Sequence, residues 1–432
     1  MDIINPSNGT LIETLADHDS DTIRDAFEKL KEGQLNWVRR SIDDRIACIE
    51  TFNALLLENI AELSAILTSE VGKPLGQSKG EISGARQRID YFIKNSKRVL
   101  ADRDVISEGN LTERVTFEPL GVIANISAWN YPYLVGVNVF IPALIAGNAV
   151  LYKPSEFSSL TGLEIEKLMQ ESGISDEVFK CVTGTGDVGE VMLDLPFDGY
   201  FFTGSHRTGQ YIYSRVAKKM VPCQMELGGK DPLYVSHHNS DVSSVAKAAA
   251  EGAFYNNGQS CCAVERIYVH EAVYEEFHKA FLEEVKSFKI GSPQDEDIFI
   301  GPLTRRDQLD VLKNQVDDAV RKGAKLELGG KAIDGKGYYF EPTVLSKVNH
   351  TMLVMTEESF GPIIGIQTVP NHEAALKLMA LTDYGLSASI YSENKEEFEY
   401  MARQLNTGTV HWNCCDRVSA HVPWSGRKRS GI

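Results

Sequence analysis

Apolar and polar residues follow two rhythms along this chain, and the change of rhythm divides it. Between residues 20 and 100, apolar side chains such as Ile46, Ile49, Phe52 and Leu56 recur every three or four positions, which predicts amphipathic helices. Asp19 to Asp21 offer a cap to the first of them. The stretch Asp102–Glu118 is polar, with Gly109-Asn110 in its middle, and predicts a β-hairpin. Short apolar runs then predict strands at Gly121–Ser127, Asn148–Tyr152, Val178–Val182, Tyr200–Phe202 and Gln224–Leu227. Helical patterns at Leu134–Ala146, Ser159–Gln170, Gly189–Leu193 and Arg207–Lys218 separate them, the signature of a parallel, doubly wound sheet. The glycine pair Gly228-Gly229 marks a boundary. A second alternating stretch follows from Asp231, with helices at Val242–Phe254, Val273–Phe288 and Arg305–Lys322, a strand at Arg266–His270 and strand-rich sequence through Glu341–Val344.

Composition narrows the classes. A chain of 432 residues exceeds one core, so two or more domains are expected. A formal charge of −16 argues against nucleic acid or an anionic membrane as partner, since both require a basic footprint. Seven cysteines with no CxxC spacing read as reduced thiols in a cytoplasmic protein, and the start MDIINPSNGT has no secretory character. The apolar stretch Tyr133–Tyr152 is interrupted by Asn138, Pro142 and Asn148, so a buried helix and strand are expected there instead of a membrane span. His237 and His238 offer two imidazoles but no third ligand in sequence, and are read as loop residues with no metal.

In a doubly wound sheet, ligands bind beyond the carboxyl ends of the strands. Those ends carry Trp129-Asn130-Tyr131-Pro132, Lys153-Pro154-Ser155-Glu156, Phe202-Thr203-Gly204-Ser205 and Glu226-Leu227-Gly228-Gly229-Lys230. Glu156, after the second strand, suits ribose hydroxyls, and the Gly204-Ser205 turn opening a helix suits a diphosphate. Gly184-Thr185-Gly186-Asp187-Val188-Gly189 is formally a GxGxxG, equally readable as a phosphate loop or as a tight strand-to-helix turn. In Asn256-Asn257-Gly258-Gln259-Ser260-Cys261-Cys262, a cysteine after a helix is a candidate nucleophile; by itself an inert buried thiol reads as well.

Taken together and in this order, WNYP (129–132), KPSE (153–156), FTGS (202–205), MELGGKDP (225–232), NNGQSC (256–261), Gly301-Pro302, GYYFEPTV (337–344), EESFGP (357–362) and PWSGRKRSG (423–431) resemble the aldehyde dehydrogenase superfamily along essentially the whole chain. The resemblance implies a Rossmann-type NAD-binding domain from residues 1–100 and 119–228, a bridging and oligomerisation hairpin at 101–118, an α/β catalytic domain at 229–425, and a short tail at 426–432. It implies that Cys261 is the nucleophile, its neighbour Cys262 is not, and Glu226 is the general base. Asn130, with the Cys261 N–H, would form the oxyanion hole. Lys153 and Glu156 would hold the adenosine ribose, while Gly186, Gly204 and Ser205 lie near the diphosphate. Trp129 would line the cofactor cleft, Glu358 take the nicotinamide ribose and Phe360 pack at the nicotinamide end. The expected activity is oxidation of an aldehyde to its acid through a thioester, with NAD favoured over NADP because Glu156 would repel a 2′-phosphate.

The chain departs from its relatives in places. A Trp-Lys pair common after WNYP is replaced by Asn138 and Val139, PWSG stands for PFGG, and the family's last strand is missing, so a homodimer is expected without a higher tetramer. Competing functions are a CoA-acylating semialdehyde dehydrogenase, against which Glu226 argues, a thioester or ester hydrolase, and a catalytically weakened homologue with a structural role.

Overall fold

The computed structural model describes residues 1–432. Four helices, Ser20–Trp37, Ile42–Glu58, Ile60–Val71 and Leu75–Val99, fill the region of helical rhythm. Asp19 accepts the Thr22 N–H at 2.7 Å and Ser41 accepts the Asp44 N–H, so two of the starts are capped as side-chain acceptors at that position allow. The apolar face read from the sequence, Ile49, Phe52 and Leu56, is fully buried with Ile82, Phe140 and Tyr152 in one core.

Five parallel strands, Val122–Ile126, Ala149–Lys153, Phe179–Cys181, Gly199–Thr203 and Cys223–Glu226, lie side by side in the order third, second, first, fourth, fifth. Each matches an expected strand to within a residue or two. All five residues of Ala149–Lys153 are buried, as in a parallel strand covered on both faces. The apolar stretch before it forms the helix Pro132–Ala146, closed by Gly147 at φ 99. No helix is long and apolar enough to cross a membrane.

A second sheet of seven strands begins at Asp231. In chain order its strands are Asp231–Val235, Val264–His270, Lys325–Leu328, Thr343–Ser346, Ile363–Val369, Ser387–Tyr391 and Thr409–Trp412; in space they run third, fourth, fifth, second, first, sixth, seventh. Only Lys325–Leu328, at one edge, runs antiparallel to its neighbour. The last three strands were not foreseen. Ser387–Tyr391 reads as polar, yet it is buried because Ser387 donates to the buried Asp231 carboxylate at 2.6 Å, a partner 156 residues away. Two parallel α/β sheets thus organise the chain, and the fold class is mixed α/β.

The hairpin forms from Arg103–Glu108 and Leu111–Val115, turning at Gly109 with φ 59. None of its strand residues is buried. The segment 426–432, expected to be a short tail, is bonded to the end of the fifth strand of the first sheet. Leu227 N–H donates to Ser430 O at 3.0 Å, and Ile432 N–H donates to Met225 O at 3.2 Å. Unsatisfied backbone groups of a sheet edge account for this pairing, and it straps the strand that carries Glu226.

Candidate active site

One cavity of about 1640 Å³ runs between the two sheets. The carboxyl ends of the first sheet open onto it, with the loops before the second sheet's first, second and fifth strands and the loop that follows its seventh. All eleven residues singled out from the sequence line it: Trp129, Asn130, Lys153, Glu156, Gly186, Gly204, Ser205, Glu226, Cys261, Glu358 and Phe360.

The Cys261 loop is built by its own motif. Asn256 and Asn257 take left-handed conformations at φ 51 and 57, a region that asparagine tolerates better than most side chains, and Gly258 follows at φ 69. Asn257 accepts the Gly301 N–H at 3.0 Å and donates to Pro302 O at 2.7 Å. Gln259 accepts the Thr304 N–H at 3.1 Å. The motifs NNGQSC and Gly301-Pro302 are therefore two sides of one contact. Cys261 is partly exposed and Cys262 is buried. The Cys262 thiol and the Ser260 hydroxyl both donate to Asp416 Oδ1, at 3.3 and 3.1 Å. Contact with Cys261 and burial hold the Cys262 thiol well above the usual range, which keeps it protonated.

Asn130 donates one amide hydrogen to Gln259 O at 3.0 Å, which ties the WNYP turn to the cysteine loop and leaves its second amide hydrogen free. Beneath it, Lys73 donates to Asn130 O at 2.6 Å and pairs with Glu81, whose carboxylate accepts the Tyr133 N–H at 2.9 Å. Sequence reasoning missed this fully buried pair, since neither residue lies in a motif it used.

Glu226 ends the fifth strand. Burial pushes its carboxyl up to about 7, its Oε2 has no hydrogen-bond partner, and its one contact is Gln224 at 3.4 Å. The glycines that follow are required by close approaches. A Cβ on Gly228 would stand 2.2 Å from Glu358 Oε1, and one on Gly229 would stand 2.4 Å from Cys261 O. Gly229 N–H donates to Glu358 at 3.0 Å; burial, then the charge of Glu265, pushes Glu358 up to about 8. Lys230 pairs with Glu265 at 2.5 Å, and Glu265 accepts the N–H groups of Ser359 and Phe360 at 2.9 and 3.0 Å. That carboxylate holds Phe360 at φ 46 and sets its ring 5.5 Å from Trp129, edge to face. Glu265 too was absent from the sequence reading.

At the other end of the cavity Lys153 is buried, and desolvation lowers its affinity for a proton while Glu156 opposes that shift. Ser155 donates to Glu156 at 3.1 Å. Within the GxGxxG, Gly184 is the glycine that sterics demand, with φ 150 and a would-be Cβ 2.3 Å from Val188. Gly186 and Gly189 meet nothing within 4 Å and border the cavity. Helix Gly186–Asp194 has no side-chain cap, whereas Ser205 caps His206–Val216 by accepting the Thr208 N–H. Both helix starts face the cavity with first-turn N–H groups, a setting suited to a diphosphate. At the mouth, Arg417 is exposed and makes no ion pair, and Asn138 Oδ1 is buried without a partner. Cys415 packs against Ala248 O and Tyr391, a packing role.

A doubly wound sheet that offers helix starts to a cavity shared with a second α/β unit is the architecture of a nicotinamide-dependent oxidoreductase. The chain matches the model of the aldehyde dehydrogenase family over residues 1–432, and it belongs to that family. It is 34% identical to a Mycobacterium ulcerans protein named a succinate-semialdehyde dehydrogenase of the NADP(+) type, over 94% of this chain and 79% of that one. It is 32% identical to the 3,6-anhydro-α-L-galactose dehydrogenase of a Vibrio species, over 95% and 87% of the two chains. The solved structure of an indole-3-acetaldehyde dehydrogenase with NAD+ superposes with a TM-score of 0.97 at 31% identity, covering 100% of this chain and 89% of that one.

Proposed function

We propose that the chain oxidises an aldehyde to its carboxylic acid through a thioester on Cys261, with Glu226 as the base. The observation that carries this reading is the buried, unpartnered Glu226 oxygen on the same cavity as the partly exposed Cys261 thiol. The Cys261 thiol gives up its proton to solvent and its thiolate sulfur bonds to the aldehyde carbon as the carbonyl π pair moves to oxygen. The resulting alkoxide accepts from the free amide hydrogen of Asn130 and from the Cys261 N–H. One such donor contributes about 2.7–4 kcal/mol to the transition state. A nicotinamide dinucleotide held by Glu358 and Phe360 would supply the acceptor for the hydride that this carbon loses as the thioester forms. Glu226 then takes a proton from water as the water's oxygen bonds to the thioester carbon. The carbon–sulfur bond breaks, freeing the Cys261 thiolate and the acid.

The residues present fit a dinucleotide. Two helix starts stand ready for its diphosphate, the side-chain-free space at Gly186 and Gly189 admits close approach, and Glu156 and Glu358 supply acceptors for two riboses. Glu156 makes NAD the preferred form, with NADP accepted. The substrate class is an aldehyde carrying a carboxylate, matched by the unpaired Arg417 at the mouth and by the named substrate of the Mycobacterium ulcerans relative. The chain acts in the cytoplasm as a homodimer.

The test compares Cys261→Ser with Cys262→Ser, using succinate semialdehyde and an uncharged aldehyde of equal length. Cys261→Ser is expected to lose about 10³-fold or more in kcat, with dinucleotide binding kept, while Cys262→Ser stays within about tenfold. Equal losses would remove Cys261 as sole nucleophile. A lower kcat/KM for the semialdehyde than for the uncharged aldehyde would remove the carboxylate preference.

A further inference from the structure

The end of the seven-stranded sheet remote from Cys261 gathers side chains that the aldehyde chemistry does not use. Val235 pairs with Val269 in register, and with Tyr391 on its other side. That register brings together the residues just beyond three neighbouring strands: His237 and His238 after the first, His270 at the end of the second, and Ser392 after the sixth, leading into helix Lys395–Ala402 with Glu397. The His237 and His238 rings stand 3.9 Å apart by centroid, and His237 stands 4.3 Å from His270. One ligand atom from each of His237, His238 and Glu397 lies within 4.8 Å of the others. The sequence offered no third ligand for the histidine pair; Glu397 lies some 160 residues along the chain and comes within reach only through the fold.

We propose that His237, His238 and Glu397 bind one divalent transition cation of the zinc, cobalt or nickel class. Two imidazoles and a carboxylate are the ligand set that such ions prefer, whereas magnesium and calcium favour oxygen alone. Glu397 is 6% exposed; its Oε2 accepts from Ser392 Oγ at 2.5 Å, while its Oε1 is buried without a hydrogen bond. The basic side chain nearest Oε1 is His372, at 3.4 Å, itself 3.2 Å from Glu373. With Oε1 free of hydrogen bonds, the buried Glu397 carboxylate can take a further partner, and two exposed imidazoles stand within reach of it. Bonds of about 2.0–2.1 Å place ligand atoms of a tetrahedral ion roughly 3.3 Å apart, and the exposed histidines close the remaining gap by side-chain rotation. His270 accepts the Ala272 N–H through Nδ1 at 3.1 Å, which fixes the neutral tautomer with its hydrogen on Nε2, and it stands as an outer donor to the site.

The site is remote from Cys261. Cys261 precedes the amino end of Val264–His270 and His270 closes its carboxyl end, so the strand alone spans about 20 Å between them. A cation here ties the loop after one strand to the helix after another.

The test is a titration of the Cys261→Ser chain with Co²⁺, followed by its visible absorption, so that the active-site thiol takes no part. One equivalent is expected to bind without the sulfur-to-cobalt charge-transfer band that a cysteine ligand gives. His237→Ala, His238→Ala and Glu397→Gln should each weaken binding by about tenfold or more. In an otherwise unchanged chain, His238→Ala should leave dehydrogenase activity untouched. No binding up to about 1 mM Co²⁺, a thiolate band, or affinity unmoved by both histidine variants would overturn the proposal.

Discussion

Burial of Glu226 has consequences for both catalysis and stability. A carboxyl raised to about 7 ionises within the working range, and only the ionised form accepts a proton from water. Turnover is therefore expected to rise with pH through about 7, and Glu226→Gln to give at most one equivalent of NADH while acyl-enzyme accumulates; sustained turnover at the wild-type rate would remove Glu226 from the mechanism. The folded-state value lies above the unfolded one, so the contribution of this group to stability is fully present below about 4.5 and is lost as pH rises through about 7. Glu226→Gln should accordingly raise Tm by about 2–4 °C at pH 8 and leave it nearly unchanged at pH 4.5, by differential scanning calorimetry. Glu156 bears on the cofactor in the same local way. In the proposed binding mode its charge would lie beside a ribose and repel a 2′-phosphate, so kcat/KM is expected to be higher with NAD than with NADP, and Glu156→Ser to shift that ratio toward NADP by about tenfold. A relative named for NADP(+) makes this a sharp comparison, and a wild-type ratio favouring NADP would overturn it.

The loop before Cys261 concentrates what an element can demand of a sequence. Three successive residues, Asn256, Asn257 and Gly258, sit at positive φ, and a Cβ on Gly258 would stand 2.5 Å from Gly361 O. A backbone oxygen has no rotamer by which to move away. Gly258→Ala is expected to destabilise the protein by about 2 kcal/mol or more and to cut kcat through displacement of Cys261, read by thermal unfolding and steady-state assay. Retention of both would show that the loop yields. The motif itself was legible in the sequence, but the need for each of its letters was not. Asn257 and Gln259 look like surface polar residues until Gly301, Pro302 and Thr304 are brought against them.

At the scale of the whole molecule, the exposed hairpin is the feature that bears on assembly. Val105 and Leu111 are 59% and 55% exposed, flanked by Asp104, Arg114 and Glu113. The charges blunt open-ended pairing, while the apolar residues favour a limited covered contact. A homodimer is expected from multi-angle light scattering at micromolar concentration. A monomer or a stable tetramer would each contradict it.

Sequence by itself determined the helices between residues 20 and 100 and the five-stranded parallel sheet, because apolar periodicity is a local signal, whereas the paired strands Asp2–Ile4 and Leu11–Thr14 ahead of them were not foreseen. Strand ends of a doubly wound sheet converge by geometry, which pointed to Trp129, Asn130, Lys153, Glu156, Gly204, Ser205 and Glu226, while Cys261, Glu358 and Phe360 were singled out through the family resemblance. The tertiary structure alone decided the rest. Ser387–Tyr391 became a buried strand only once Asp231 took its hydroxyl, and Lys73, Glu81 and Glu265 became supports of the site only once burial removed water as their alternative partner. Residues 430–432 bonded to the edge of the first sheet about 200 residues back, and Glu397 came near His237 and His238 across some 160 residues. A polar side chain in isolation reads as solvated, and only its distant partner shows that it is not.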